Sequence, residues 1–451
     1  MSRRFLCTAA ALAAAAVLVS AQRESSLDSA ALAARVKQEF LHAWDGYKQY
    51  AWGHDELVPV AKQARDWETG KTLLMTPVDA LDTMALMGLT EEAAKTRAYI
   101  AANLDVTQNA SVQVFEITIR LLGSLLTNYE LSHDEALLVK AKALADRLLP
   151  AFKSKTGMPY RFVNLATGEV RDPVSNPAEI GTLILEFGTL SKLTRNPVYF
   201  DTARRALTEV YKRRSPIGLV GENINVETGE WTSRESHIGG YIDSYYEYLL
   251  KCDVLLHDAD CASMWRSSIA AVNKYVADES TGSLWYGSVN MDTGKRTATT
   301  YGALQAFFPA VLALGGDLDR ARRLQESGFR MWTLHGVEPE ELNYQTMTVT
   351  AAGYQLRPEI VESAYYLFHY TTDPRYQEMG ARMFDDLVKY CRTEAGYTVL
   401  KSVVRKEQGD RMHSFLLAET FKYFYLLFKP DAIDFDSVVF NTEAHPLRRI
   451  P

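Results

Sequence analysis

Seven times along this chain a polar, usually acidic residue heads an apolar, helix-like segment, and that recurrence restricts the fold more than any other feature. The segments are LDTMALMGL at Asp82, EITIRLLGSLL at Glu116, EFGTLSKLT at Glu186, DSYYEYLLK at Asp243, LQAFFPAVLALGGD at Gln305, ESAYYLFHYTTD at Glu362 and ETFKYFYLLF at Glu419. From Glu186 onward the heads are spaced by 57, 62, 57 and 57 residues, a period that a helix hairpin with its two loops fills. Helices that are apolar nearly all round are buried on both sides, whereas AALAARVKQEFLHAWDGYKQYAW and RRALTEVYKRR carry one apolar face. A ring of inner helices wrapped by outer amphipathic ones follows: an all-α toroid of seven helix hairpins. No linker or low-complexity stretch divides residues 22–451, which read as one domain. Strand signals are confined to GMPYRFVNLATGEV, GLVGENINVETGEW and SLWYGSVNMDTG, each with a Thr-Gly turn that predicts a short β-hairpin.

The heads carry the chemistry. In LRPEIVESAYYLFHY, residues 356–370, Pro358 suits a first helical turn, and Glu359 and Glu362 share a face just where the helix becomes too apolar for solvent. Capping the helix dipole accounts for any one such glutamate. It accounts poorly for six acidic heads gathered at one end of a ring, because buried carboxylates without basic partners are costly. Such a set needs a cation, a proton or a polyol. Glycoside hydrolysis uses two carboxyls, one to protonate the leaving oxygen and one to activate water or attack. Like charges brought together keep one of them protonated near neutrality. Acids beyond those two suggest an oxygen-seeking ion such as calcium.

Other classes are excluded by what the sequence lacks. With 49 basic against 56 acidic residues the net charge is −7, unlike a general nucleic-acid binder. HExxH, GxSxG, P-loop and GxGxxG motifs are absent, and the nine histidines do not cluster. The N-terminal MSRRFLCTAAALAAAAVLVSAQ has the charged, apolar, small-residue order of a secretory signal, with cleavage expected after Ala21. The protein is therefore expected to be exported, periplasmic or secreted, with no membrane attachment after cleavage; Arg3 and Arg4 leave general and twin-arginine export both open. Cys7 leaves with the signal. Cys252 and Cys261 are compatible with a disulfide or with two unrelated buried thiols, and Cys391 reads as buried and free.

YAWGHDELVPV, VDALDTMALMGL, FEITIRLLGSLL, EIGTLILEFGTLSKLT, YIDSYYEYLLK, LRPEIVESAYYLF, HSFLLAETFKYFYLLF and VFNTEAHPL together resemble the class I α-mannosidases, glycoside hydrolase family 47, over nearly all of residues 35–451. The resemblance implies an (α/α)7 barrel and a calcium-dependent, inverting exo-α-1,2-mannosidase acting on mannobiose or high-mannose glycans. Glu116 is similar to the family's general-acid candidate, Asp243 to its alternative, and Glu359 to the general base. Arg120 and Arg357 resemble residues that bind sugar hydroxyls and orient carboxylates, and Phe415 an apolar platform for the ring. Thr442 resembles the calcium ligand, with Glu362, Glu419 and Glu443 holding the ion's waters; Glu362 and Glu419 also face the substrate. His445 and Asp55 fall in matching motifs and are given structural roles. The chain departs from the processing mannosidases by lacking their cysteine in LQAFFPAVLALGGD, where it is closer to the subgroup that handles misfolded glycoproteins. Its short loops and Ala-rich signal point to a bacterial exported form. A mannose-binding protein on the same barrel without turnover, and another α/α-barrel glycosidase or sugar epimerase that needs no calcium, are the competing functions. A monomer is the expected state.

Overall fold

The computed structural model describes residues 27–68 and 70–449; the expected signal and Cys7 lie outside them. Helices alternate between an outer and an inner ring. In chain order they are α1 (Ser29–Tyr50), α2 (Met75–Leu86), α3 (Thr90–Asn103), α4 (114–132), α5 (Glu135–Leu148), α6 (Ile184–Thr194), α7 (Val198–Lys212), α8 (Asp243–Leu256), α9 (Ala259–Tyr275), α10 (Phe308–Leu314), α11 (Leu318–His335), α12 (Glu359–Thr371), α13 (Arg375–Cys391) and α14 (Phe421–Phe428). Odd-numbered helices are outer and even-numbered ones inner. Each inner helix packs on the next, and the turn leading into α14 packs on α2, which closes the ring; α1 covers α14 from outside. This is the (α/α)7 barrel that the repeat predicts.

Sequence accounts for which helix lies where. In α7 the buried residues are Tyr199, Ala203, Ala206, Leu207 and Val210, one stripe of a 3.6-residue period. In α14 every residue from Phe421 to Phe428 is buried, so the helix has no polar face to give to solvent. The turn from an inner to an outer helix is built from a left-handed residue followed by a cap. His133, His257 and Gly316 have φ of 55°, 56° and 85°, and the aspartates that follow, Asp134, Asp258 and Asp317, accept from the first amides of α5, α9 and α11. A disulfide joins Cys252 in α8 to Cys261 in α9, and Cys391 is buried and free.

Six of the seven outer-to-inner connections carry a short antiparallel hairpin. The three predicted ones are Phe162–Asn164 with Val170–Arg171, Asn223–Asn225 with Trp231–Ser233, and Ser288–Asn290 with Arg296–Ala298. Asn164, Asn225 and Asn290 each accept two amide protons from the following turn, and Gly168, Gly229 and Gly294 take its left-handed position. A fourth of the same build, Glu341–Asn343 with Thr348–Ala351, was not foreseen because Met347 (φ 55°) stands where the others have glycine.

The barrel is filled from the end opposite these hairpins. Strands Val438–Phe440 and Pro446–Arg448 pair antiparallel and pack inside the ring against α8 and α4. Their turn, 441–445, reaches up to the level where the inner helices begin. Gly123 in α4 makes room for it: a β-carbon there would lie 2.6 Å from the Asn441 side chain.

Candidate active site

A cavity of about 460 Å³ opens along the barrel axis above that turn. All ten residues to which the family resemblance gives a catalytic, sugar-binding or ion-binding role line it: Glu116, Arg120, Asp243, Arg357, Glu359, Glu362, Phe415, Glu419, Thr442 and Glu443. They come from α4, α8, α12, the turn before α14 and the C-terminal hairpin, so the site exists only because the ring closes. Local backbone departures aim several of them. Arg120 lies in a π-helical turn, Thr118–Leu122, and Glu419 in another, Leu416–Thr420. Leu356, Tyr241 and Ala444, which precede Arg357, Asp243 and His445 by one or two residues, all have φ between 59° and 73°.

The wall near α4 is ion-paired. Arg120 Nε donates to Glu116 at 2.8 Å, and its Nη1 donates to Glu443 and lies 3.5 Å from Asp79. The same guanidinium sits over the rings of Trp67 and Phe415 at 5.5 and 5.7 Å. Phe415 is stacked on His413, with centroids 4.8 Å apart, which fixes the angle of the platform. On the α12 side Arg357 makes a forked contact to Glu340, at 2.8 Å through Nη2, and so stands fixed beside Glu359.

The remaining acids are short of cations, and burial governs their titration. Burial, then the Glu247 charge, lifts Asp243 to about 7 despite a bond from the Ser244 amide. Burial lifts Glu359 to about 7 against the pull of Arg357, and its Oε2 accepts no hydrogen bond. Glu362 is pushed to about 8 by burial and by Glu247 and Glu359, with Lys251 opposing. Glu419 lies far above the ordinary range through burial and repulsion from Glu443, Glu359 and Glu362. The acids rise together because each is buried and each ionised form repels its neighbours.

Among the described residues, no three His, Cys, Asp or Glu side chains converge closely enough to ligate a metal directly. Thr442 is half-buried at the cavity floor, its amide donates to the Tyr248 hydroxyl at 3.3 Å, and Glu362, Glu419 and Glu443 line the same floor. The donors are all oxygen, which suits a hard cation.

Three of the seven acidic or polar heads do not reach the cavity, contrary to the expectation of a single gathering. Asp82 is buried against Lys422 at 2.7 Å and His445 at 3.1 Å; burial alone would raise its carboxyl, but those two cations hold it below its ordinary range. Glu186 accepts from Tyr248 and from Asn441 at 2.6 and 2.8 Å and anchors the C-terminal turn. Gln305 bonds the Gly302 amide and the Tyr286 carbonyl. Asp55 likewise accepts from the amides of Trp67, Leu73 and Met75 and shapes a loop.

Other site residues escaped the sequence reading. Glu247 lines the cavity and is paired with Lys251; it is four residues beyond Asp243 on the same helix face, a spacing that would have found it. Glu338, behind the cavity wall, is fully buried with neither oxygen hydrogen-bonded, and burial, then the Glu359 and Glu340 charges, push its carboxyl well above the ordinary range. Nothing in GVEPEEL signals that placement.

A seven-hairpin toroid with carboxyls converging on an axial cavity of sugar size defines an α/α-barrel glycoside hydrolase. The sequence model of "Glycosyl hydrolase family 47" matches residues 39–449. The chain is 39% identical to alpha-mannosidase I of Arabidopsis thaliana over 92% of its own length and 69% of that protein's. To human mannosyl-oligosaccharide 1,2-alpha-mannosidase IB it is 36% identical, again over 92% and 69%. The structure superposes on the alpha-1,2-mannosidase from Trichoderma reesei with a TM-score of 0.86 at 28% identity, covering 93% of this chain and 99% of that one. A cellobiose 2-epimerase from Bacillus thermoamylovorans shares the fold alone, with a TM-score of 0.58 at 12% identity over 89% of this chain and 99% of that one. The chain belongs to glycosyl hydrolase family 47.

Proposed function

We propose that this protein is an exported, calcium-dependent exo-α-1,2-mannosidase that inverts the anomeric centre. One observation carries the reading: Glu359, Asp243, Glu116 and Thr442, drawn from four separate elements, line one axial cavity. Glu359 is the base. Its unpartnered Oε2 is available to take a proton from water as that water attacks the anomeric carbon. The leaving oxygen is protonated from the opposite face by Asp243 or Glu116. Burial raises Asp243 to about 7 and no cation is bonded to it, whereas Glu116 is tied to Arg120. The structure therefore favours Asp243 as the group that holds the transferable proton, with Glu116 and Arg120 binding and orienting around it. Phe415 offers an apolar face to the ring. Thr442 and the water-holding acids Glu362, Glu419 and Glu443 would bind calcium, which supplies a charge that fixes the sugar's O2 and O3 hydroxyls.

Release of mannose from α-1,2-mannobiose, followed by NMR of the product anomer with and without a chelator, tests this. β-Mannose as the first product, lost on chelation, is expected. Turnover that survives complete metal removal would defeat it, and sugar binding without hydrolysis would make the protein a lectin on the same barrel.

A further inference from the structure

Behind the cavity wall, Glu338 is fully buried and neither of its oxygens has a hydrogen bond. It lies on the connection from α11 to α12, two residues before Glu340, whose carboxylate holds Arg357 beside the base. Backbone bonds fix that segment on both sides. The Ala303 amide donates to the Glu340 carbonyl at 3.0 Å, and the Glu340 amide to the Gly353 carbonyl at 2.8 Å. Strand Thr300–Gly302, paired with Glu341–Asn343, brings Tyr301 alongside. Tyr301 is fully buried, its ring 5.2 Å from that of Trp285, and its hydroxyl also lacks a partner. Glu359 Oε2 is a further buried oxygen without one. These three side chains sense one another. Burial, then the Glu338, Tyr286 and Glu359 charges, raise the Tyr301 hydroxyl, and burial followed by the Glu359 charge raises Glu338.

A carboxylate buried with no donor and no bonded cation is far costlier than a carboxyl that keeps its proton. That proton gives Glu338 an O–H to donate, and unpartnered polar atoms gathered in one buried place are what an internal water satisfies. We propose that Glu338 is a positioning residue for the base: it holds a proton and, with the Tyr301 hydroxyl, donates to a buried water that in turn donates to the Glu359 carboxylate. Such a bond favours the ionised form of Glu359, the form that accepts a proton from the attacking water. The other charges facing Glu338 are Arg357 and Glu340, which are bonded to each other, and the Tyr354 hydroxyl lies 3.4 Å from the Arg357 carbonyl. Glu359 is itself faced by Arg357, Glu340 and Asp243, and it acts on Glu362 and Glu419. One segment thus braces the head of α12 twice, through Glu340 on Arg357 and through Glu338 on Glu359. The role rests on the reading of Glu359 as the general base.

Glu338→Gln keeps a donor without a titrating proton, and Glu338→Leu keeps the bulk and removes the donor. Both are compared with the parent, in calcium, by infrared difference spectroscopy and by pH–rate profiles on α-1,2-mannobiose. At about pH 8 the parent is expected to show the C=O stretch of a protonated carboxyl that is missing from both variants. Ionisation of Glu359, assigned by difference against Glu359→Gln, is expected at the parent's pH in Glu338→Gln and at higher pH in Glu338→Leu. The spectra report this whether or not the sugar is cleaved, so failure of the mannosidase reading is told apart from failure of this one. In the rate profile, the ratio of kcat/KM at about pH 5 to that at about pH 8 is expected to fall roughly five-fold or more in Glu338→Leu and to be restored in Glu338→Gln. A purely structural role would lower the rate evenly across pH. Tyr301→Phe removes the other donor, is expected to move Glu359 in the same direction, and reports where the leucine variant fails to fold. Absence of the carboxyl band, or a Glu359 ionisation that moves to lower pH in both Glu338 variants, would mean that Glu338 is charged and repels the base, and would overturn the proposal. So would a Glu359 titration that is the same in the parent, Glu338→Leu and Tyr301→Phe.

Discussion

Arg120 holds Glu116 at 2.8 Å through Nε and, through the far end of the same guanidinium, Glu443 on the turn of the C-terminal hairpin. One side chain thus ties the inner ring to the plug that fills it and sets the position of a cavity acid in the process. Substituting Arg120 by leucine leaves Glu443 buried beside Asp79 without the guanidinium, with His445 still against Asp79 at 3.5 Å. Loss of a partner from a buried ionic cluster costs about 3–5 kcal/mol, and urea titration of the variant should show a loss of that order together with collapse of activity. A variant that keeps its midpoint while losing only kcat would show that the clamp is catalytic and not structural.

Glu359→Gln keeps the shape of the base and removes its ability to take a proton. General-base catalysis contributes roughly 10²–10⁴-fold, so kcat on mannobiose should fall by about that factor while KM changes little, since the interaction is made in the transition state. An unaltered kcat would move the base elsewhere.

Asp243 and Glu116 are separable by pH. A proton donor with a pKa of about 7 gives a kcat that declines as pH rises through that value. Glu116→Gln should lower kcat and leave this alkaline limb in place; Asp243→Asn should remove the limb along with at least ~10² of the rate. The reverse pattern would assign the proton to Glu116.

Much of this was legible in the sequence because the signals are local. An inner helix that is apolar nearly all round, as α14 is but for Lys422, is central, and the spacing of seven such helices dictates a ring. The acids that open α4, α8 and α12 were readable for the same reason. What escaped depends on partners far away in the chain. Asp82 belongs to a structural ion pair because Lys422, 340 residues later, reaches it. Glu338 becomes a buried acid only through the packing of its connection against α12. The hairpin at 341–351 was hidden by a methionine in a glycine's backbone conformation, a substitution that local propensity disfavours and surrounding structure overrules.

The raised acids make stability depend on pH, and the proposed calcium would act on the same groups. Burial raises Asp243, Glu359 and Glu362 from ordinary values of 3.8, 4.5 and 4.5 to about 7, 7 and 8 in the folded protein. Between those limits the folded state binds more protons than the unfolded one, so stability is highest on the acid side and declines as pH rises from about 5 to about 8. A divalent ion bound at the cavity floor as proposed would oppose this by lowering the repulsion among the ionised acids, and an ion bound only by the folded state would add stability by mass action. In chelator, the melting temperature should therefore fall steadily between about pH 5 and pH 8. Millimolar calcium should raise it far more at the upper end than at the lower, where protons already occupy the acids it would compensate. Thr442→Val should abolish the calcium increment while leaving the slope in chelator unchanged. A melting temperature in chelator that is flat across this window would mean that these carboxyls do not titrate where burial places them.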